Sequence, residues 1–443
     1  MLIKGGHVVD PNNDRDELLD IRIVNGRIAE IGKYLEVHDN EEIFDATNAY
    51  VAPGFIDMHV HLRDPGYPEK ETLTTGTHAA IRGGFTSIAC MPNTNPTLDS
   101  PKLISAISQA FANVIPSEAS QDAQSRDRAN IYCRIHPIAA ITQGRRGETL
   151  CDYPALAAAG AVAFSDDGNT IMNARVLRDA ALAARDVPGR FISHAEDDHL
   201  KGDAVMHEGK VSHDLKLPGS PGVAEDVIVA RDLLIAADTR KAWHIAHLST
   251  QRSLEIVAGA KQRGIDVTCE VTPHHLLLTD EAVRELGAKA KVNPPLRTEE
   301  DASALRDAVR NGVIDAFATD HAPHTDAEKS GDMRSAAVGF TGLEIAVGAY
   351  AQAIPDLPVS LFVALLSANP ARILGLQEAG TLSAGALADI TIFADRPWRV
   401  DPEQFASKGK ATPFAGKTLP RKILATIVAG RVVYTCQPQV PTF

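Results

Sequence analysis

Short apolar segments alternating with alanine-rich helical stretches constrain this chain more than any other feature. Eight candidate strands can be counted, at residues 55–61, 87–91, 132–138, 161–165, 191–194, 243–247, 267–271 and 316–319. Helical, alanine-rich stretches lie between them, as at 74–83, 174–185, 227–238 and 253–263. Two parallel strands cannot be joined by a tight turn, so a helix-length crossover after each strand is the mark of a parallel α/β architecture. Eight such strands in succession suit a closed barrel better than an open sheet, and 443 residues leave room for a second, smaller unit.

The ends of the chain have a different texture. Residues 1 to about 50 hold short β-like pieces (Ile21-Arg-Ile-Val, Arg27-Ile-Ala-Glu-Ile), with the hairpin signal Asn25-Gly26 between two of them. The C-terminal part repeats that pattern in Ala388-Asp-Ile-Thr-Ile-Phe and Ile423-Leu-Ala-Thr-Ile-Val. The expected fold is therefore a (β/α)8 TIM-like barrel over residues 53–375, carrying a small β-sandwich domain built from both termini, 1–52 and 376–443. Residues 117–130, small and polar, read as a surface insertion.

Composition excludes several classes of partner. A formal net charge of −13 argues against nucleic acid and against an anionic membrane. An acidic substrate would gain no long-range attraction from such a chain, so local arginines would have to hold it. The five cysteines are scattered and form no C-x-x-C pair, which fits reduced thiols in a cytoplasmic protein. Met1-Leu-Ile-Lys-Gly-Gly lacks the basic-then-apolar order of a signal peptide, and no apolar run approaches a membrane span.

Chemistry-bearing residues gather at the strand ends. His59 and His61 are two apart, so on a strand both imidazoles would face one side, and imidazole nitrogen is a preferred ligand of zinc. Arg63 follows at the same spacing and offers a bidentate fork to an anion. Other candidate strands end in Met91-Pro-Asn93-Thr-Asn, Ser165-Asp166-Asp167-Gly168, Ser193-His194-Ala-Glu196, His244-Ile-Ala-His247 and Thr319-Asp320-His321-Ala-Pro-His324. In a (β/α)8 barrel, strand ends of this kind form one catalytic rim. The adjacent pair His274-His275 would diverge on a strand and reads as structural, and so does Glu196, as a neighbour of His194.

These blocks, in this order, resemble the cyclic amidohydrolase superfamily and most closely the class I bacterial dihydroorotases. The most specific are Asp57-Met-His-Val-His-Leu-Arg-Asp-Pro-Gly66, Met91-Pro-Asn-Thr94, Lys291-Val-Asn-Pro-Pro-Leu-Arg297 and Ala318-Thr-Asp-His-Ala-Pro-His324. The resemblance spans essentially the whole chain. It implies a zinc-dependent enzyme that interconverts dihydroorotate and N-carbamoyl-aspartate, with one or two ions per subunit.

By the same resemblance, His59, His61 and Asp320 would hold one ion, His194 and His247 a second, and Asp167 would bridge them. Many relatives, hydantoinases included, carry a carbamylated lysine where this chain has Asp167; the absence of that lysine favours a dihydroorotase over a hydantoinase or allantoinase. Asp320 would take the proton of the attacking water and deliver it to the leaving nitrogen. Arg63, Asn93, Asn293 and His324 would receive the small anionic substrate, with backbone groups at Val338 and Gly339 beside the ring. Val338 stands where the family often has an aromatic residue, and residues 325–337 form a candidate cover for the site. A homodimer is expected, as is the capacity for a complex with aspartate carbamoyltransferase. A scaffold without activity, the other alternative, would lack metal ligands, and this chain has the full set.

Overall fold

The computed structural model describes residues 1–110 and 130–436, so all but Asn130 of the expected insertion at 117–130 lies outside the described residues. The first strands are β1 (Leu2–Asp10), β2 (Arg15–Val24), β3 (Arg27–Gly32), β4 (Ile43–Asp45) and β5 (Tyr50–Pro53). Asn25 and Gly26, both at positive φ, make the turn between β2 and β3.

Eight parallel strands follow: β6 (Phe55–Val60), β7 (Phe85–Cys90), β8 (Arg134–Ala139), β9 (Ala163–Ser165), β10 (Arg190–Ser193), β11 (Trp243–Ile245), β12 (Val267–Val271) and β13 (Ala316–Phe317). Each pairs with the next in chain order. A bridge between Val60 and His321, with the His61 amide donating to the His321 carbonyl at 2.8 Å, joins the first strand to the segment after the last. The eight-stranded barrel expected from the sequence is thereby formed. Several of the helices between the strands start at side-chain caps; Thr298 and Asp301, for instance, cap reciprocally the helix Glu299–Arg310.

Two apolar layers hold the barrel. Ile56, Met58, Ala89, Met91, Ile138, Ala163, Ile192 and Ala316 share the interior cluster. Phe85, Phe164, Phe191, Trp243 and Phe317 belong to the larger cluster with the surrounding helices. The alternation of period two along each strand sorts them. Tyr350 stacks on Phe317 at 3.9 Å, and its hydroxyl donates to the Ala318 carbonyl (2.7 Å) and the Val271 carbonyl (3.0 Å), tying β12 to the chain beyond β13.

The C-terminal strands are β14 (Ile390–Ala394), β15 (Lys422–Val428) and β16 (Arg431–Thr435). β14 pairs antiparallel with β5, so both ends of the described chain join one sheet. Ile3, Val8, Ile21 and Ile28 from one part of that sheet and Ile390, Ile392 and Ile427 from the other share a single buried cluster. The small sandwich is thus one hydrogen-bonded sheet folded over its own core.

Several strands stop short of the lengths expected from hydrophobicity. The stretch 243–247 shortens to Trp243–Ile245, and 316–319 to Ala316–Phe317. Backbone conformation is the reason: His247 (φ 32) and Asp320 (φ 49) are left-handed, which ends the ladder and turns the chain at the rim. Non-glycine residues pay for that conformation, and here it falls on two residues that enter the pocket.

Candidate active site

The rim at the strand ends encloses a cavity of about 330 Å³ lined by His61, Arg63, Asn93, Asp167, Gly168, His194, His247, Asn293, Asp320, Ala322, His324, Val338 and Gly339. Every substrate-side residue expected from the sequence is in that set. His59 lies beneath it, fully buried.

The β6–β7 ladder slips between Asp57 and Val60, and the Asp57 carboxylate accepts the amides of His59 (3.1 Å) and Thr319 (3.1 Å). Asp57 therefore pins the first and last strand ends together just below the pocket. Around Asp167, Oδ1 lies 3.4 Å from His59 Nε2, 3.7 Å from His194 Nδ1 and 3.9 Å from His247 Nε2, while Oδ2 lies 3.6 Å from His61 Nε2. Asp320 Oδ1 is 3.0 Å from His61 Nε2 and 3.6 Å from His59 Nε2. Donor atoms around a tetrahedral zinc with bonds of about 2.0–2.1 Å stand roughly 3.3 Å apart, so these separations suit shared cations. Two overlapping trios result, His59/His61/Asp167 and Asp167/His194/His247, with Asp167 common to both.

Unpartnered atoms point the same way. His59 Nε2 and Asp167 Oδ1, which face each other at 3.4 Å, are buried with no hydrogen-bond partner among the described residues. A buried polar atom left alone costs roughly 1–3 kcal/mol, and a cation between such groups would remove the cost. Burial alone would raise the Asp167 carboxyl, but the His59 charge and the closeness of the His194 and His59 rings overcome it and hold it well below its usual range. Burial and repulsion from His194 and His59 push His247 down to about 3, so its ring keeps a free lone pair. The donor set fits a divalent metal.

Asp166 does something else. It accepts the amides of Ile141 (2.8 Å) and Thr142 (3.0 Å) and the Thr142 hydroxyl, and so braces the neighbouring loop while Asp167 faces the histidines. His321 also turns away from the cluster: its Nδ1 accepts from the Gly342 amide (3.2 Å), and its Nε2 lies 3.4 Å from Glu71. His274 and His275 sit on the short helix Pro273–Leu277 rather than on a strand. His275 bonds Thr272 (2.7 Å) and the Pro294 carbonyl (2.9 Å), whereas His274 packs edge-on against Phe340.

On the anion side, Arg63 Nη2 lies 3.2 Å from His324 Nε2, and Arg63 Nε donates to the Pro323 carbonyl at 3.3 Å. His324 Nε2 also lies 2.8 Å from the Val338 carbonyl, which ties the Val338–Gly339 segment to the arginine. Burial lowers the Arg63 pKa, while the charges of Asp320 and Asp167 oppose that shift. Gly339 is at φ 107, and a Cβ there would lie 2.6 Å from that of Ala322, so no larger residue fits this wall.

Sequence reasoning missed two orienting contacts. Glu270 Oε1 is 2.8 Å from His59 Nδ1, and its Oε2 is 3.1 Å from His244 Nε2. Asn93 Oδ1 accepts from His61 Nδ1 at 2.8 Å, so this residue steadies an imidazole as well as facing the cavity. Glu196 is more than a neighbour: it pairs with Lys201, accepts from Asn293 Nδ2 at 3.2 Å and lies 3.7 Å from His194.

Comparison with known proteins agrees with this geometry. The sequence model of the amidohydrolase family matches residues 50–433. The chain is 47% identical over 437 residues to a dihydroorotase of Pelotomaculum thermopropionicum, covering 98% of each. It is 44% identical to a dihydroorotase of Geobacter metallireducens, over 98% of this chain and 99% of that one. Among solved structures it resembles an L-hydantoinase from Arthrobacter aurescens (TM-score 0.83, 22% identity, 99% and 97% coverage). A dihydropyrimidinase from Brevibacillus agri is also similar (TM-score 0.79, 22% identity, 98% and 95% coverage). At that identity the structural likeness speaks for the fold alone, while the sequence matches place the molecule more finely: this chain belongs to the amidohydrolase family and, within it, to the dihydroorotases.

Proposed function

We propose that this chain is a metal-dependent cyclic amidohydrolase that opens and closes the ring amide of dihydroorotate, with N-carbamoyl-L-aspartate as the open form, in pyrimidine biosynthesis. One observation carries the reading: an aspartate ringed by four histidines shares a single cavity with the Arg63–His324 pair and Asn93. Hydrolytic groups and a carboxylate receptor thus face the same small volume.

In this reading His59, His61, Asp167, His194, His247 and Asp320 hold one or two zinc ions. A bound divalent ion acidifies water and polarises the carbonyl under attack. Asp320 performs the proton transfers. Burial would raise its carboxyl, but the His61 bond and the His59 charge keep it below its usual range, so it stands ionised, the form that can take up a proton. From there the proton passes to the ring nitrogen as the amide bond breaks. Arg63, with Asn93 and His324, receives the substrate carboxylate, and Asn293 with the Val338–Gly339 backbone borders the ring. Without those fixed donors an anion would have no reason to enter so acidic a protein.

We also place the enzyme in the cytoplasm, as a homodimer able to associate with aspartate carbamoyltransferase; five unpaired thiols support a reducing compartment. The units 1–52 with 376–443 and 53–375 are taken as its two domains. Among the described residues no helix is long and apolar enough to cross a membrane.

Purified protein offered dihydroorotate, hydantoin and allantoin separately tests the assignment. Turnover of dihydroorotate that disappears with a chelator and returns with zinc is expected. Turnover of hydantoin alone, or activity indifferent to chelation, would sink it.

A further inference from the structure

Across Gly168 from the pocket stands a guanidinium without a partner. Arg145 makes no side-chain hydrogen bond or ion pair among the described residues, and its Nε is buried and unsatisfied. Its position is nevertheless fixed. The Arg145 amide donates to the Thr142 carbonyl (2.9 Å), and its carbonyl accepts from Asn169 Nδ2 (2.9 Å). Its backbone is left-handed, at φ 57, which an arginine adopts at a cost. Thr142 is in turn held by Asp166, the residue beside Asp167.

The direction of the side chain is what matters. A Cβ built on Gly168 would lie 3.6 Å from Arg145 Nη2 and 3.5 Å from Asn93 Nδ2. Both nitrogens therefore flank the same glycine, and Asn93 and Gly168 both line the cavity. Asn93 spends its oxygen on His61, which leaves its amide donors free. Among the described residues, the acidic groups whose charges act on Arg145 are Asp167, Asp166 and, more weakly, the Tyr67 phenol; none is within ion-pairing distance. An arginine paired for stability would have a carboxylate within reach, and this one has instead a short path to the pocket.

We propose that Arg145 is a second substrate-binding guanidinium, which closes on the substrate's carboxylate from the Asn93 side while Arg63 holds it from the His324 side. Two forks suit an anion that must stay in place whether the ring is open or closed, because the open form carries an additional carboxylate and would otherwise be free to bind in reverse. The proposal rests on the dihydroorotase reading and deepens it, by making Arg145 a determinant of which end of the open substrate is held.

Steady-state kinetics of R145Q and R145K in both directions test it, with bound zinc measured on the same samples. For R145Q, KM for dihydroorotate and for N-carbamoyl-aspartate should rise about tenfold or more, with kcat within threefold and zinc content unchanged. R145K should lie between R145Q and the parent. An unchanged KM in R145Q overturns the proposal and leaves the enzyme assignment standing. Loss of zinc or of thermal stability in proportion to the rise in KM would make Arg145 a structural brace and also overturns it. A parent enzyme idle on both substrates removes the assignment and this inference together.

Discussion

Glu270 reaches His59 from behind: Oε1 lies 2.8 Å from Nδ1, on the face of the ring opposite the atom that looks toward Asp167. Both side chains are buried, and the same carboxylate meets His244 at 3.1 Å. With a cation on Nε2, this contact would keep the ring's remaining proton on Nδ1. Glu270→Gln should therefore weaken zinc binding about 10–100-fold while the fold survives, as competition with a chromogenic chelator would measure. Unaltered affinity would show that the ring is oriented by packing alone.

Asp320→Asn is expected to retain the fold and lower kcat by about 10²–10⁴-fold, the usual worth of a positioned proton carrier. Zinc analysis on the same preparation separates this loss from a loss of metal. A kcat within a few-fold of the parent, with metal in place, would take the proton transfer away from Asp320.

Arg63→Met removes the fork that meets His324 at 3.2 Å. Charge-assisted hydrogen bonds are worth about 1.5–3 kcal/mol, so KM for dihydroorotate should rise roughly 10–100-fold. If KM held steady, the carboxylate would have to bind elsewhere in the cavity.

Lys329 gives a prediction about pH. It is 3% exposed and donates to the carbonyls of Lys291 (3.1 Å) and Ala337 (2.9 Å), so it staples the segment that leads to Val338 and Gly339. Burial, reinforced by the charge of Lys291, lowers its pKa to about 7. Between pH 7 and the ordinary lysine range near 10.5, the folded protein binds fewer protons than the unfolded chain, so stability rises with pH across that window. The parent's melting temperature should gain on that of Lys329→Met from pH 7 to pH 9. A constant difference would remove the buried ammonium as the cause.

Much of the site was legible because its residues sit in short motifs at strand ends, where period-two spacing and the barrel rule suffice. His59, His61 and Arg63 needed only one local segment to be read. Glu270 was not legible: it lies within a strand, in Thr-Cys-Glu-Val, with no motif around it, and its meaning appears only when the barrel closes and brings β12 within side-chain reach of His59 on β6, with β13 between the two. Strand ends were overextended for a related reason, since hydrophobicity continues through Ala246 and Ala318 while the backbone of His247 and Asp320 has already turned left-handed. Hydropathy records burial and says nothing of φ. The pair His274-His275, expected to diverge on a strand, lies on a short helix instead, because Thr272 caps the turn that follows β12.

The sheet that joins the two ends of the described chain has an implication for biosynthesis. β5 finds its neighbour β14 only once Ile390–Ala394 has left the ribosome, yet the barrel grows directly out of β5. Until then Tyr50–Pro53 presents an unsatisfied ladder edge, the kind of surface that recruits stray strands. A nascent polypeptide stalled before β14 should thus be prone to self-association even with its barrel complete, and such chains are the ones a chaperone would need to shield.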